Sequence, residues 1–419
     1  MINMPKGTKD ALPKDTYKWQ YVESKIRSTA RLFGFDEIRT PTIEFTELFL
    51  RGVGENTDIV DKEMYTFMDK GGRSLTLRPE GTAGVVRSYI ENNLADTGLP
   101  VKLYYIGPAF RYERPQSGRL REHHQFGAEL FGSATPYADA QVISLAKSTL
   151  TALGLKDVSL NINSVGCRTC RPVIEASIKS YFCERIDELC EVCKERLIKN
   201  PLRILDCKEA RCKEIAANAP YPISNLCPEC SEHHQTLVKL LNDTGVEFTV
   251  DPHIVRGLDY YTRTVFEFIS SSVGAQGTIC GGGRYDNLTA TLGGKPTPSV
   301  GFGIGIERIL MAIESASVYC GESSVPDLYI VSAGAGLESY TFSLAEKLRA
   351  SGIATESDIM GRSLKAQMKC ANKIGAKYVV VVGEDEISTG LIFLKNMKTG
   401  EEKAVDIDAI VNILLASGV

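Results

Sequence analysis

Two stretches far apart in the chain carry the side chains best suited to chemistry. The first is Phe110-Arg111-Tyr112-Glu113-Arg114-Pro115, running on through Arg119, His124, Gln125 and Glu129. The second is Arg256-Gly257-Leu258-Asp259-Tyr260-Tyr261-Thr262. Together they supply fixed cations, acceptors and tyrosines, a set that suits a site holding a polyphosphate and a polar amino acid at once. A guanidinium offers a planar fork that fits phosphate oxygens in pairs. Arg111 alone is explained as well by an ion pair with Glu113 or Glu129. Its company favours the phosphate reading: Arg114, Arg119 and Arg121 share its loop, and Arg256 and Arg308 sit in other glycine-flanked segments.

Glu80 and Glu129 complement these cations. Each lies at the edge of a strand pattern beside a glycine, Gly81 and Gly127, and paired carboxylates bind an ammonium group well. The plainer role for Glu80 is a negative charge at a helix N-terminus. Gly281-Gly282-Gly283-Arg284-Tyr285-Asp286 suggests a phosphate cradle but matches neither common nucleotide-binding pattern, so close backbone approach or a bulge beside a ligand is the cheaper explanation. Gly301-Phe302-Gly303-Ile304-Gly305-Ile306-Glu307-Arg308 alternates glycine with large apolar residues. One strand face is thereby left bare for a flat ring, with Arg308 starting the next helix.

The elements that must position these residues follow from periodicity. Trp19, Val22, Ile26, Ala30 and Phe33 recur at helical spacing, so 15–33 reads as an amphipathic helix ended by Gly34. Asp36 to Glu44 reads as a strand that Pro41 confines to an edge or interface. Ser74 to Leu77 is a strand; Gly81 and Thr82 open a helix to about Leu94. Leu103 to Gly107 is a strand, Phe110 to Phe131 two strands around a long loop, 137–153 a helix and Val158 to Asn163 a strand. Strands resume at Glu247–Asp251, Val265–Ile269 and Ser299–Gly305, the last running into the helix Ile306–Ser315. This order predicts an α+β domain, an antiparallel sheet flanked by helices, over 1–320. From Cys167 to about Gly245 a charged, cysteine-rich helical stretch reads as an insertion. After Gly321 strands (Asp327–Ala333, Ile353–Glu356, Tyr378–Val382, a hairpin at 390–405) alternate with helices (Leu337–Ala350, Leu364–Ile374, 406–416). That alternation predicts a small α/β domain over 325–419.

Composition bounds the function classes. The 419 residues suffice for two or three domains. A net charge of −4 argues against a general nucleic-acid coat, though not against a local basic track. The polar, proline-bearing N-terminus does not read as a signal peptide, and no apolar run approaches membrane-spanning length, so a cytoplasmic protein is expected. The 12 cysteines therefore read as reduced thiols or metal ligands. Cys190-x-x-Cys193 and Cys227-x-x-Cys230, 33 residues apart, are candidates for a structural Zn²⁺. Cys167, Cys170, Cys183, Cys207 and Cys212 are rival ligands, and free thiols in a helical module remain the alternative.

These motifs resemble the class II aminoacyl-tRNA synthetases, and within them the histidine-specific branch. Gly34-Phe35-Asp36-Glu37-Ile38-Arg39-Thr40-Pro41 is similar to family motif 1, Phe110 through Glu129 to motif 2, and Gly301 through Arg308 to motif 3. Leu77-Arg78-Pro79-Glu80-Gly81-Thr82 and Arg256-Gly257-Leu258-Asp259-Tyr260-Tyr261 resemble segments of the histidine branch. The resemblance spans nearly the whole chain. It implies two steps: histidine's carboxylate attacks the α-phosphate of ATP to give histidyl-adenylate and pyrophosphate, and a terminal ribose hydroxyl of the tRNA then takes the histidyl group. It implies that Arg111 and Arg256 are the catalytic cations, and that Arg119 and Arg308 hold the outer phosphates with Mg²⁺. Glu113 falls at the adenine–ribose end. Glu80, Gly81, Thr82, Gln125, Glu129, Tyr260 and Tyr261 would surround the histidine together with the two catalytic arginines. The domain at 325–419 is similar to the family's anticodon-binding domain. There Arg362, Lys365, Lys369, Lys373 and Lys377 either contact phosphates or form a solvated helix face. A homodimer is implied as well.

Two other functions fit parts of the pattern. A synthetase-like regulatory subunit of histidine biosynthesis shares the catalytic fold but typically lacks the terminal domain and the arginines. A tRNA-binding sensor without catalysis would not need the phosphate-binding set. Arg111, Arg256 and Arg308 disfavour both. If they lined different cavities, the activation chemistry would have no home.

Overall fold

Alternation along each central strand decides which face is core. In Glu122–Phe131 the side chains of Phe126, Ala128 and Leu130 join one apolar cluster, whereas Gln125, Gly127 and Glu129 point the other way. Ser299–Gly305 repeats the pattern, with Val300, Phe302 and Ile304 inward and Gly301, Gly303 and Gly305 opposite. This computed structural model describes residues 2–54, 57, 59–271 and 277–416. The chain divides into two compact units, Met1–Gly321 and Glu322–Val419. None of the described helices is long and apolar enough to cross a membrane.

Eight strands of the first unit, among the described residues, form one sheet. Their order is 36–37, 101–110, 122–131, 299–305, 278–284, 262–270, 158–164 and 249–250. Neighbours among the six central strands pair antiparallel. The two short outer strands pair parallel, at Asp36↔Leu103 and Asn161↔Thr249. The expected antiparallel sheet is therefore present, with a parallel strand at each edge. Helices Pro13–Leu32, Pro136–Ala152, Pro228–Asp243 and Ile306–Ser315 cover the apolar face through Val22, Ile26, Val142, Leu145, Leu237 and Ile309, all fully buried. The first helix stops where Gly34 takes a φ of 71°, a conformation costly for residues with a Cβ.

The strand expected over Asp36–Glu44 is instead two. Asp36–Glu37 edges the large sheet, while Ile43–Phe45 belongs to a three-stranded sheet with Ser74–Leu77 and Tyr65–Met68. Pro41 lies in the break, where a missing N–H costs no ladder bond. On the threonine side of the small sheet Thr76 is fully buried and bonds the hydroxyls of Thr46 and Thr66, each at 2.9 Å. Ile43, Phe45 and Phe67, on the opposite side, are 47%, 55% and 42% exposed.

The expected insertion contains helices Arg171–Cys183, Glu191–Lys199, Ala210–Ala216 and Pro228–Asp243. Its core of Ile174, Ile178, Phe182, Leu197 and Ile215 is continuous with Val255, Tyr261 and Val265 of the adjoining loop and strand. The second unit is a five-stranded sheet ordered 355–357, 328–332, 378–382, 391–396, 402–406. Its first three strands are parallel and its last two antiparallel. Helix Glu384–Thr389 was not foreseen, and the last helix starts at Ile410, not at 406. Residues 417–419 of the expected terminal domain lie outside the described residues.

Candidate active site

The polar face of the large sheet is built in register rows. One row runs Glu267, Gly281, Gly303, Gly127, Tyr105; the next runs Val265, Gly283, Gly301, Glu129, Leu103. Glycine in the middle of each row removes the side chains that would fill the face. The strip is not left bare, as the sequence suggests, because long side chains lie across it. A Cβ on Gly281 would overlap the guanidinium of Arg256, one on Gly301 the carboxylate of Glu129, and one on Gly303 the amide of Gln125. Glycine is required here for close approach, not for backbone freedom.

Above this floor opens a cavity of about 760 Å³. Arg111, Arg119, Arg256 and Arg308 all line it, with Glu113, His123, Gln125, Glu307, Lys208 and Lys213. The guanidinium groups from distant parts of the chain thus converge on one space. Arg111 donates from Nε to the carbonyl of Pro79 at 2.8 Å and makes no ion pair with Glu113 or Glu129 among the described residues. Arg256 donates to Glu267, which also accepts from the Thr278 hydroxyl at 3.1 Å. Arg308 donates to the carbonyls of Gly118 at 3.0 Å and Thr278 at 2.5 Å. Burial first, then the like charges of Arg119 and Arg111, lower its pKa. Burial and the charges of Arg111 and Arg308 push His123 down to about 3, so its imidazole is neutral. Guanidinium groups gathered around one space form a site that gains when an anion enters.

Glu113 is tied to Arg119 by an ion pair at the rim of the same cavity. His124 turns away: its backbone N–H and ring bind Glu307, and Trp19 meets it edge-on at 4.9 Å. Gly281 lines the cavity, but the neighbouring Arg284 is no phosphate ligand. It is fully buried against Asp139, so the apparent cradle is a structural anchor.

The amino-acid set forms a second, buried cluster beside the cavity. Glu129 is wholly buried; it accepts from the Thr82 hydroxyl at 2.7 Å and from the Tyr285 hydroxyl. Burial pushes its pKa up to about 8. Gln125, which reaches the cavity, accepts from the N–H of Gly81 at 3.3 Å and the hydroxyl of Tyr105 at 3.2 Å. Tyr260 lies 4.7 Å from Tyr261 and 5.6 Å from Tyr285, ring to ring. Glu80 spends both oxygens on the N–H groups of Thr82 and Ala83, at 2.6 and 2.8 Å, which is the helix-terminal role weighed above. Glu80, Gly81, Thr82, Glu129, Tyr260 and Tyr261 do not line the arginine cavity itself; Tyr260 and Tyr261 open onto a smaller one of about 290 Å³.

Sequence reasoning missed Tyr105, His123, Glu267 and Tyr285. Strand alternation places Tyr105 on the face of Gln125 and could have flagged it. Lys208 and Lys213 come from the insertion and carry no local signal. In the second unit Lys365, Lys369 and Lys373 are exposed on one face of the helix Leu364–Ile374, whereas Arg362 bonds Asp358 and Lys377 pairs with Asp327 at 2.9 Å.

The expected zinc quartet is not one site. Cys190 and Cys193 lie with Cys207 and Cys212, whereas Cys227 and Cys230 lie with Cys167 and Cys170. The first and last C-x-x-C pairs meet, one just after strand Val158–Ser164 and the other at the start of helix Pro228–Asp243.

An antiparallel sheet with a glycine floor under convergent arginines is the arrangement of a class II aminoacyl-tRNA synthetase. The histidyl-tRNA synthetase family model matches residues 7–177 and 184–309, and an anticodon binding domain model matches 327–417. The chain belongs to the histidyl-tRNA synthetase family. It is 53% identical over 414 residues to the histidine–tRNA ligase of Acetivibrio thermocellus, covering 99% of each. It is likewise 53% identical over 410 residues to that of Caldanaerobacter subterraneus subsp. tengcongensis, covering 98% of each. The crystal structure of apo S. aureus histidyl-tRNA synthetase aligns with a TM-score of 0.84 at 39% identity, over 99% of this chain and all of the other. A Bacillus halodurans chain described as an ATP phosphoribosyltransferase regulatory subunit/histidyl-tRNA synthetase shares the fold at 24% identity and a TM-score of 0.65.

Proposed function

We propose that the chain catalyses ATP-dependent ligation of histidine to its tRNA through histidyl-adenylate. The observation that carries this is the convergence of Arg111, Arg119, Arg256 and Arg308 on one cavity beside the buried Glu129 cluster. A histidine carboxylate oxygen attacks the α-phosphorus, a new P–O bond forms, the bond to the bridging oxygen breaks, and pyrophosphate leaves with those electrons. Charge gathers on the α-phosphoryl oxygens, and catalysis is mainly positioning and charge stabilisation. Arg111 and Arg256 are the groups for that charge. Nε of Arg256 is buried without a hydrogen-bond partner among the described residues, a donor ready for an acceptor. Arg119 and Arg308 hold the outer phosphates, and Glu113 the adenine–ribose end. In the second step the tRNA ribose hydroxyl attacks the acyl carbon and AMP departs.

Mg²⁺ fits this arrangement as a passenger on the nucleotide. Close groups of three or more potential ligands occur, among the described residues, only at the cysteines. Mg²⁺ is ordinarily held by substrate phosphates and one or two carboxylates, here Glu113 or Glu307 of the cavity wall. When bound it shares neutralisation of the phosphate charge.

Gly81, Thr82, Gln125, Glu129, Tyr260 and Tyr261 form the histidine subsite, with Glu80 fixing the helix N-terminus that carries Thr82 and Glu129 receiving the ammonium. Because its carboxyl in the empty site is pushed up to about 8, binding must deprotonate it. A raised pKa in the free state means affinity is weakest at low pH. The histidine Kd accordingly falls as pH rises toward 8, by up to about tenfold per unit. Calorimetry across that range checks this; Glu129→Gln flattens the slope, and an unchanged slope in the variant removes Glu129 from ammonium binding.

Lys365, Lys369 and Lys373 face the phosphates of the anticodon loop, and the family's homodimer and cytoplasmic location carry over. The outward apolar side of the small sheet supports the dimer, since Ile43, Phe45 and Phe67 remain exposed there. Sedimentation should give a dimer that Phe45→Glu with Phe67→Glu converts to monomer; a wild-type monomer would overturn the assignment. Histidine-dependent pyrophosphate exchange, followed by charging of tRNA with labelled histidine, tests the activity. Exchange without charging indicates a non-ligase homologue, and neither indicates the regulatory or sensor alternative.

A further inference from the structure

We propose that eight cysteines of the insertion hold two separate mononuclear zinc ions: one in Cys167, Cys170, Cys227 and Cys230, the other in Cys190, Cys193, Cys207 and Cys212. In each group the four sulfurs lie within 4.8 Å of one another. The sulfur–sulfur separations include 3.7 Å for Cys167–Cys170, 3.8 Å for Cys167–Cys227 and 3.9 Å for Cys190–Cys207. A tetrahedron of sulfurs about 2.3 Å from zinc has edges of about 3.8 Å. Disulfides would require about 2.05 Å. Iron–sulfur clusters spread their thiolates over several irons and so hold them further apart.

A second observation is the hydrogen bonding of the sulfurs. Backbone N–H groups aim at the sulfurs: Thr169 at Cys167 (3.3 Å), Cys227 at Cys170 (3.2 Å) and Cys190 at Cys212 (3.3 Å). Backbone donors aimed at sulfur are the outer contacts that orient and support metal-bound thiolates. Cys170, Cys193, Cys207, Cys212 and Cys230 are all buried in the insertion's apolar cluster. That cluster joins short helices to the adjoining loop and strand, and a small module gains stability from a metal where its core is thin. Each group is also assembled from pairs distant in sequence, which adventitious surface thiols are not.

The first site has a further consequence. It ties the segment that follows strand Val158–Ser164 to the start of helix Pro228–Asp243. Beside it, Val165 and Gly166 exchange backbone hydrogen bonds with Arg263, each 2.8 Å. Two residues earlier stands Tyr261, and Asn200 of the insertion donates to Asp259 at 2.7 Å. The ion thus braces the segment Arg256–Tyr261 from behind. Residues Cys167 and Cys170 here are positioning residues; this consequence, unlike the metal count, rests on the proposed histidine subsite.

The test is metal analysis of the full chain, purified without added metal or polyhistidine tag, with thiols counted on the native protein and again after unfolding with a chelator. About two zinc ions per chain are expected, with eight thiols shielded until release. Cys207→Ser with Cys212→Ser lowers the count to about one, as does Cys227→Ser with Cys230→Ser, while Cys183→Ser, at an exposed cysteine outside both groups, leaves it unchanged. Zinc-free protein with all thiols reactive, bound iron, or one zinc in the wild type overturns the proposal. Should the variants fail to fold, the wild-type count and thiol protection still decide it. Loss of the first site also raises the histidine KM more than the ATP KM; equal KM changes in that variant, with two zinc ions in the wild type, would refute the bracing alone.

Discussion

Replacing Arg256 by histidine lowers histidine-dependent ATP–pyrophosphate exchange by about 10²–10³-fold. The guanidinium lies over the glycine floor, where Gly281 leaves room for it and for little else. Histidine is shorter, cannot present the same fork, and is largely neutral at working pH, so charge developing at the α-phosphate loses its donor. The fold should survive. Glu267, the partner left behind, keeps the Thr278 hydroxyl at 3.1 Å and has a side chain 19% exposed to water. Arg111→Gln should show a loss of similar size with even less structural risk, because Arg111's one hydrogen bond from Nε goes to a carbonyl. Pyrophosphate exchange with unchanged thermal unfolding is the required pair of measurements. Near-normal exchange in Arg256→His would place the charge stabilisation elsewhere.

Arg284→Met destabilises the first unit by about 3–5 kcal/mol. Both Arg284 and Asp139 are wholly buried, and the guanidinium binds Asp139, Asp286 and the carbonyls of Ser133 (2.8 Å) and Thr135 (3.1 Å). Removing it strands the Asp139 carboxylate, with His233 Nε2 left at 3.4 Å as its neighbour. The cost is that of a buried, uncompensated charge. Burial opposes the Asp139 anion and the Arg284 charge more than offsets it, holding its pKa at about 2. Urea unfolding followed through the single tryptophan reports on this unit, since Trp19 packs against its main core. Arg284→Met with Asp139→Leu should recover most of the loss, because replacing both partners removes the stranded charge. A midpoint for the single variant within the scatter of wild type would show that water or His233 compensates.

How much was legible beforehand depended on the kind of interaction. Amphipathic helices and alternating strands were readable because burial imposes periods of 3.6 and 2 on apolar residues locally. The segments rich in arginine and glycine could be picked out because guanidinium and bare backbone have few cheaper explanations in combination. Pro41 signalled an interruption, but not that the chain would change sheets there. The glycines of 281, 301 and 303 signalled close approach, but not that Arg256, Glu129 and Gln125 would be what approached.

The chain's own order of residues thus determined its elements, its two-part architecture and the identity of its candidate cations, since each rests on neighbours a few positions apart. Tertiary structure alone decided that Glu113 meets Arg119, that Arg284 is an anchor, and that the C-x-x-C pairs combine first with last and second with the Cys207–Cys212 pair. Those outcomes depend on which side chains come within a few ångströms after the sheet closes, and hydrogen-bond, ion-pair and thiolate geometry act only at that range.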